Sequence, residues 1–99
     1  MRLCFTPEAQ SRLRSIHRYI AEDSPAHALA LVERLIQRAE AIPDAPRAGR
    51  MVSEYRQQNL REVLVRPYRI IYRLQPDTIE IITILHYRQL LPDDLAPSQ

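Results

Sequence analysis

The sequence predicts an α+β domain: an N-terminal antiparallel helical hairpin packed on a small, mainly antiparallel sheet of about four strands. Three observations lead there. A cap-then-proline signal, Thr6-Pro7 and again Ser24-Pro25, is followed each time by apolar residues three and four apart. Beyond residue 59 the apolar period shortens to two. Between the last two such runs lies Gln75-Pro76-Asp77-Thr78, whose proline and aspartate suit a turn.

In chain order, Met1 to Phe5 reads as a short strand. Thr6 can then cap free N–H groups, Pro7 sits where a missing N–H costs nothing, and Glu8 is favoured by the helix dipole. Ala9, Leu13, Ile16 and Ile20 form the inward stripe of this first helix, with Arg12, Arg14 and Arg18 pointing elsewhere. Asp23-Ser24-Pro25 opens a second helix whose stripe is Ala28, Val32, Leu35, Ala39 and Ile42, ended by Pro43. The short connection makes the two helices antiparallel neighbours. From Pro43 to Gln58 no period is visible, so this segment, with Arg47, Arg50, Glu54 and Arg56, is a long connection of the kind that often carries function. Residues 60 to 66, 68 to 74 and 79 to 88 are then the remaining strands.

A chain of 99 residues has room for one domain, placed at residues 1–91, with 92–99 expected to fray. No apolar run approaches the roughly 20 residues of a membrane span, and the N-terminus lacks the apolar stretch of a secretory signal. The single cysteine, Cys4, excludes an internal disulfide and a Cys-based zinc site, which fits a cytoplasmic protein. His17 and His27 have no ligand partner at a useful spacing, so neither a metal nor another cofactor is expected. Charge is uneven: residues 1–46 carry six Arg and six acids, 47–88 eight Arg and four acids, and 89–99 only Asp93 and Asp94. The basic middle segment is therefore the candidate surface for an anionic partner.

A four-residue loop at 75–78 sets a register with Leu74 opposite Ile79, Arg73 opposite Glu80, Ile71 opposite Ile82 and Arg69 opposite Ile84. Alternation then sends Tyr68, Ile70, Tyr72, Leu74, Ile79, Ile81, Thr83 and Leu85 toward the helices. The other face receives Arg69, Ile71, Arg73, Glu80, Ile82, Ile84, His86 and Arg88, an aliphatic centre with charged ends, where a partner would sit. Arg73 with Glu80 reads first as an exposed ion pair, and Tyr68 and Tyr72 as core aromatics.

Several stretches resemble the RelE/ParE superfamily of bacterial toxins from type II toxin–antitoxin pairs: Thr6-Pro7-Glu8-Ala9, Tyr19-Ile20-Ala21, Pro46-Arg47-Ala48-Gly49-Arg50, the run from Asn59 to Arg73, and Ile84-Leu85-His86-Tyr87-Arg88. The proline-glycine connection, the Pro67-Tyr68-Arg69-Ile70-Ile71-Tyr72 strand and the His86-Tyr87-Arg88 ending are more similar to the ParE branch than to RelE. That resemblance implies a toxin that inhibits DNA gyrase, is neutralised by a cognate antitoxin and forms a hetero-oligomer with it. RelE-like relatives are instead ribosome-dependent endoribonucleases acting on messenger RNA, and a degenerate member would keep antitoxin binding without toxicity.

The ribonuclease alternative needs a base for the 2′-hydroxyl, an acid for the leaving oxygen and cations for the phosphorane. Arg69, His86 and Arg88 form its expected set, with Glu54 or Tyr87 as other candidate bases, because guanidinium does not deprotonate. Many ParE-like relatives carry glycine where Tyr87 stands, and alternation points Tyr87 away unless a bulge intervenes. For gyrase, the expected contacts are Arg47, Arg50, Arg56, Arg69 and Arg88. For the antitoxin they are Ile71, Ile82, Ile84 and Arg73, unless the chain's own tail covers that strip.

Overall fold

A computed structural model describes residues 1–89, so the predicted boundary at 91 and the tail from 92 lie outside the described residues. The elements are β1 (Arg2–Phe5), α1 (Pro7–Ala21), α2 (Pro25–Glu40), a single 3-10 turn at Ile42–Asp44, β2 (Arg50–Met51), β3 (Leu60–Val65), β4 (Tyr68–Leu74) and β5 (Thr78–His86). Both helices begin where the side-chain chemistry says they should. The Thr6 hydroxyl accepts from the Ala9 N–H and the Ser24 hydroxyl from the His27 N–H, each just ahead of a proline in the first turn.

The sheet has five strands in the order β1-β5-β4-β3-β2, one more than the sequence predicts. The addition, β2, is two residues long and pairs antiparallel with β3, too short to leave a periodic signal. β1 runs parallel to β5, with Arg2 beside Thr78 and Phe5 beside Ile81, while every other pairing is antiparallel.

α1 and α2 cover one face. Ala9, Leu31, Leu35, Ala39 and Ile42 pack there against Val63, Ile70, Tyr72, Ile79, Ile81 and Ile84. Leu31 joins the predicted stripe of α2 in this core, whereas Val32 is only half-buried. The other face has its own small core of Val52, Leu60, Ile71, Ile82 and Leu85, with Tyr55 packed against it.

The connection reaches that second face by wrapping the β3 edge. The Tyr72 hydroxyl, on the helix side, donates to the Pro46 carbonyl at 2.7 Å, and Arg61 donates to the Gly49 carbonyl at 3.0 Å. β2 then runs along the edge, and Val52 and Tyr55 fold over the far side. Gly49 is required at the crossing: a Cβ there would collide with the Tyr72 hydroxyl and lie 2.9 Å from the Glu62 carbonyl oxygen.

The predicted register holds at the turn, with Leu74 opposite Ile79 and Arg73 opposite Glu80, and then breaks. A bulge leaves Ile82 unpaired, so Ile71 faces Thr83 rather than Ile82, and Arg69 faces Leu85 rather than Ile84. One extra residue reverses the parity of every later position in the strand. Ile84 packs on the helix side and Leu85 on the other, the opposite of the predicted sorting.

Candidate functional site

The bulge decides which side chains can meet. His86 pairs with Tyr68, its ring edge-on to that tyrosine at 5.9 Å, and both follow the helix-side alternation of Ile70 and Ile84. Arg69 points to the opposite side. The expected cluster of Arg69, His86 and Arg88 on one face is therefore not assembled, because parity separates its first two members across the pleat. Tyr87, predicted to point away, instead lines the same cleft as Arg69.

Arg69 is itself the centre of a charge network. Its Nε donates to Glu62 at 2.7 Å, its two terminal nitrogens each donate to Glu54 at 2.9 Å, and Nη1 also reaches the Gln89 carbonyl at 2.8 Å. Arg50 donates from Nε to the second Glu62 oxygen at 2.8 Å. Arg69 is only 6% exposed and Glu62 4%, so their pair is buried, with Glu54 partly covered beside it and Arg50 reaching Glu62 from solvent. The hydrogen bonds it donates to Glu54 hold the Arg69 pKa above its ordinary value; burial pulls it down and Glu62 adds to the rise. Such a cation is a strut between β4, the connection and the segment after β5, with little left for an incoming anion.

This network floors one end of a cleft of about 490 Å³. Arg50, Arg66, Leu64, Pro67, Tyr68 and Tyr87 supply much of the remaining wall. Arg50 keeps 64% of its side chain in solvent, Arg66 is exposed, and no ion pair to Arg66 is found among the described residues. Both are cations that face water.

Beyond β5 the chain makes a tight turn. The Gln89 side chain accepts from the His86 N–H at 2.8 Å, the Gln89 N–H donates to the His86 carbonyl, and the Tyr87 N–H donates to the Pro67 carbonyl. His86 stacks on Tyr87 at 4.8 Å, and the Arg88 guanidinium lies over the Tyr87 ring at 5.5 Å. The Arg88 N–H lies 3.3 Å from His86 Nδ1 and donates to it. Arg88 is exposed and held in place.

The other predicted residues sort by exposure. Arg47, Arg50 and Arg56 are exposed, whereas Arg69 is buried. Ile71, Ile82 and Ile84 are 0%, 7% and 2% exposed and do not form one open strip: the first two lie under the connection and the third under the helices. Arg73 is partly exposed and meets Glu80 at 3.4 Å. Sequence reasoning did not find the Glu62 partnership with Arg69, although a signal exists. A two-residue turn at Arg66-Pro67 puts Leu64 opposite Arg69 and so makes Glu62 a diagonal neighbour on the same face.

Among the described residues no cluster of potential metal ligands occurs, and no helix is long and apolar enough to cross a membrane. A family model described as the ParE toxin of a type II toxin–antitoxin system, parDE, matches residues 3–91. Comparison with curated proteins gave no match. Among solved structures, the chain is similar to one from the chromosomal ParDE toxin–antitoxin system of P. aeruginosa, with a TM-score of 0.72 and 20% identity over 87% of this chain and 95% of that one. It is also similar to the YoeB dimer of Staphylococcus aureus, with a TM-score of 0.58 and 12% identity over 90% and 98% of the two chains. At those identities the likeness shows the fold.

Proposed function

Because the chain belongs to the ParE toxin family of type II toxin–antitoxin systems, we propose that it inhibits DNA gyrase in the cytoplasm by protein–protein contact and is neutralised by a cognate antitoxin. The observation that carries the choice of gyrase over messenger RNA is the saturation of Arg69. A ribonuclease needs cations free to meet a developing phosphorane, and this guanidinium is buried and bonded to two carboxylates. His86, the expected base, faces the other way.

Contact with gyrase then falls to the cations that reach solvent, Arg47, Arg50, Arg56 and Arg88, with Arg69 withdrawn from that set. Arg88 is the strongest of them, since a guanidinium already fixed over Tyr87 loses little freedom on binding. The antitoxin, for its part, meets surfaces other than the Ile71 and Ile82 strip, which the connection already covers.

Purified protein assayed in parallel on gyrase supercoiling and on a translating ribosome, with primer extension of the message, tests this reading. Supercoiling should fail while the message stays intact, and Arg88→Ala should weaken the inhibition about tenfold. Intact supercoiling with codon-periodic cuts would point instead to the ribonuclease. Silence in both assays, with antitoxin binding preserved, would identify a degenerate member.

A further inference from the structure

The sheet ends in β1 on one side and in the two-residue β2 on the other. Beyond β1 no further strand follows among the described residues. The phase of the β1–β5 ladder decides which backbone groups that leaves open. The N–H groups of Arg2 and Thr6 donate to the Asp77 and Ile81 carbonyls, so Arg2, Cys4 and Thr6 address β5 while Met1, Leu3 and Phe5 turn their backbone outward. The Gln10 side chain donates to the Phe5 carbonyl at 2.9 Å. The N–H and C=O of Leu3 and the N–H of Phe5 have no partner among the described residues. An edge in this state is a template for another strand.

The side chains along this edge are complementary to a copy of themselves. Leu3 and Phe5 pack toward the main core, and alternation puts Met1, 53% exposed, on the same face. Arg2 and Cys4, both exposed, occupy the other face, with Glu80 beside Cys4. Rotation about a two-fold axis at Leu3 sets that residue opposite its own counterpart, Phe5 opposite Met1 and Cys4 opposite Arg2. Every outward-facing backbone group of Leu3 and Phe5 then meets another outward-facing group. Apolar side chains meet on the helix side. On the far side the small Cys4 lets the copy's Arg2 pass over it toward Glu80, a carboxylate with 28% of its side chain in solvent and Arg73 no nearer than 3.4 Å. Any extended chain would satisfy the backbone; the match of both faces and of charge under one rotation selects a second copy.

We propose that two copies of the chain associate edge to edge through β1, antiparallel about Leu3, joining their sheets into one continuous sheet. Backbone pairing supplies the contact, and the reach of Arg2 to the copy's Glu80 fixes the register. This edge is the one farthest from β2 and β3, and it uses none of the arginines assigned to the target, so it stands whatever that target is.

Sedimentation of the full chain over rising concentration tests this. A monomer–dimer equilibrium is expected, with hydrogen exchange at the Leu3 and Phe5 amides slowing as the dimer fills. Leu3→Pro removes an outward N–H and spares the ladder to β5, which runs through Arg2, Cys4 and Thr6, so it should abolish association while circular dichroism shows the fold retained. Arg2→Glu is the milder variant, because that side chain is exposed and makes no ion pair among the described residues. It should weaken association about tenfold by bringing a like charge to Glu80. A short bismaleimide should link Cys4 to its counterpart, which lies diagonally across the pair on the same face at about 7–8 Å. A chain still monomeric at about 1 mM, where contacts of millimolar Kd are well populated, overturns the proposal. So does a dimer that Leu3→Pro and Arg2→Glu leave at full strength, which would lie elsewhere on the molecule, and so do Leu3 and Phe5 amides that exchange alike at every concentration.

Discussion

On the helix side of the sheet Leu31, Leu35, Ile70, Ile79 and Ile81 close against one another without a charged group among them. On the other side a few aliphatic residues share the space with the buried Arg69–Glu62 pair, which Glu54 and the solvent-facing Arg50 extend. The first face is filled by two helices, which present continuous apolar stripes. The second is filled by an irregular segment that brings only Val52 and Tyr55. Where a covering segment cannot supply enough apolar surface, directional bonds hold it in place, and those bonds fail differently. A truncated aliphatic leaves a void, whereas a truncated Arg69 guanidinium takes the main counter-charge from one side of two carboxylates that stay out of water.

The sharpest test of that difference is Arg69→Ala, expected to cost about 3–5 kcal/mol in urea unfolding because Glu54 loses this guanidinium and Glu62 keeps only Arg50. Replacing all three at once, Arg69→Met with Glu54→Leu and Glu62→Leu, should recover most of the loss. A triple variant as unstable as the single one would mean the array acts by shape rather than charge. Leu35→Ala should cost about 2–5 kcal/mol with no such rescue, since it opens a cavity in the helix-side core. Gly49→Ala should cost about 1–3 kcal/mol by pushing the crossing segment off Tyr72 and the Glu62 carbonyl, and a midpoint unchanged from the parent would show that the crossing can shift.

Tyr72 joins the two regions, and pH reads it. Burial raises its phenol pKa above the ordinary value of about 10, while the Gly49 backbone and the charges of Arg61 and Arg38 act the other way. The folded state thus holds a proton that the unfolded state releases first. Its contribution is fully present below the unfolded pKa and is lost as pH rises from there through the folded one. Tyr72→Phe should cost about 0.5–1.5 kcal/mol at neutral pH, the worth of the bond to Pro46, and should flatten the alkaline fall in stability. The smallest effect is expected at Arg73→Ala, about 0–1 kcal/mol, because the pair with Glu80 is long and partly wet.

Short-range chemistry was legible in the sequence. Thr6 and Ser24 cap the helices they announce, and the Pro76-Asp77 turn sets Arg73 opposite Glu80. The bulge at Ile82 left no trace, because Ile79 through Leu85 is apolar at nearly every position and offers no alternation to break. The wrap of residues 45–58 was equally hidden, its contacts being made to strands not yet reached by the chain. Arg69 looked like an available cation because one of its carboxylates lies 15 residues away and the other across a hairpin. Parity and charge partnership are long-range properties, and the predicted site depended on both.

The parallel pairing of β1 with β5 has a consequence for biosynthesis. Contacts near the N-terminus span as many as 76 residues, as from Thr6 to Ile82, so the first strand emerging from the ribosome has no neighbour until almost the last has been made. Until then the stripes of both helices face solvent without Ile79, Ile81 and Ile84 to receive them. Assembly is consequently late and slow for a chain of this size, and a nascent copy leaves its helices open to chaperones for most of the time it is being translated.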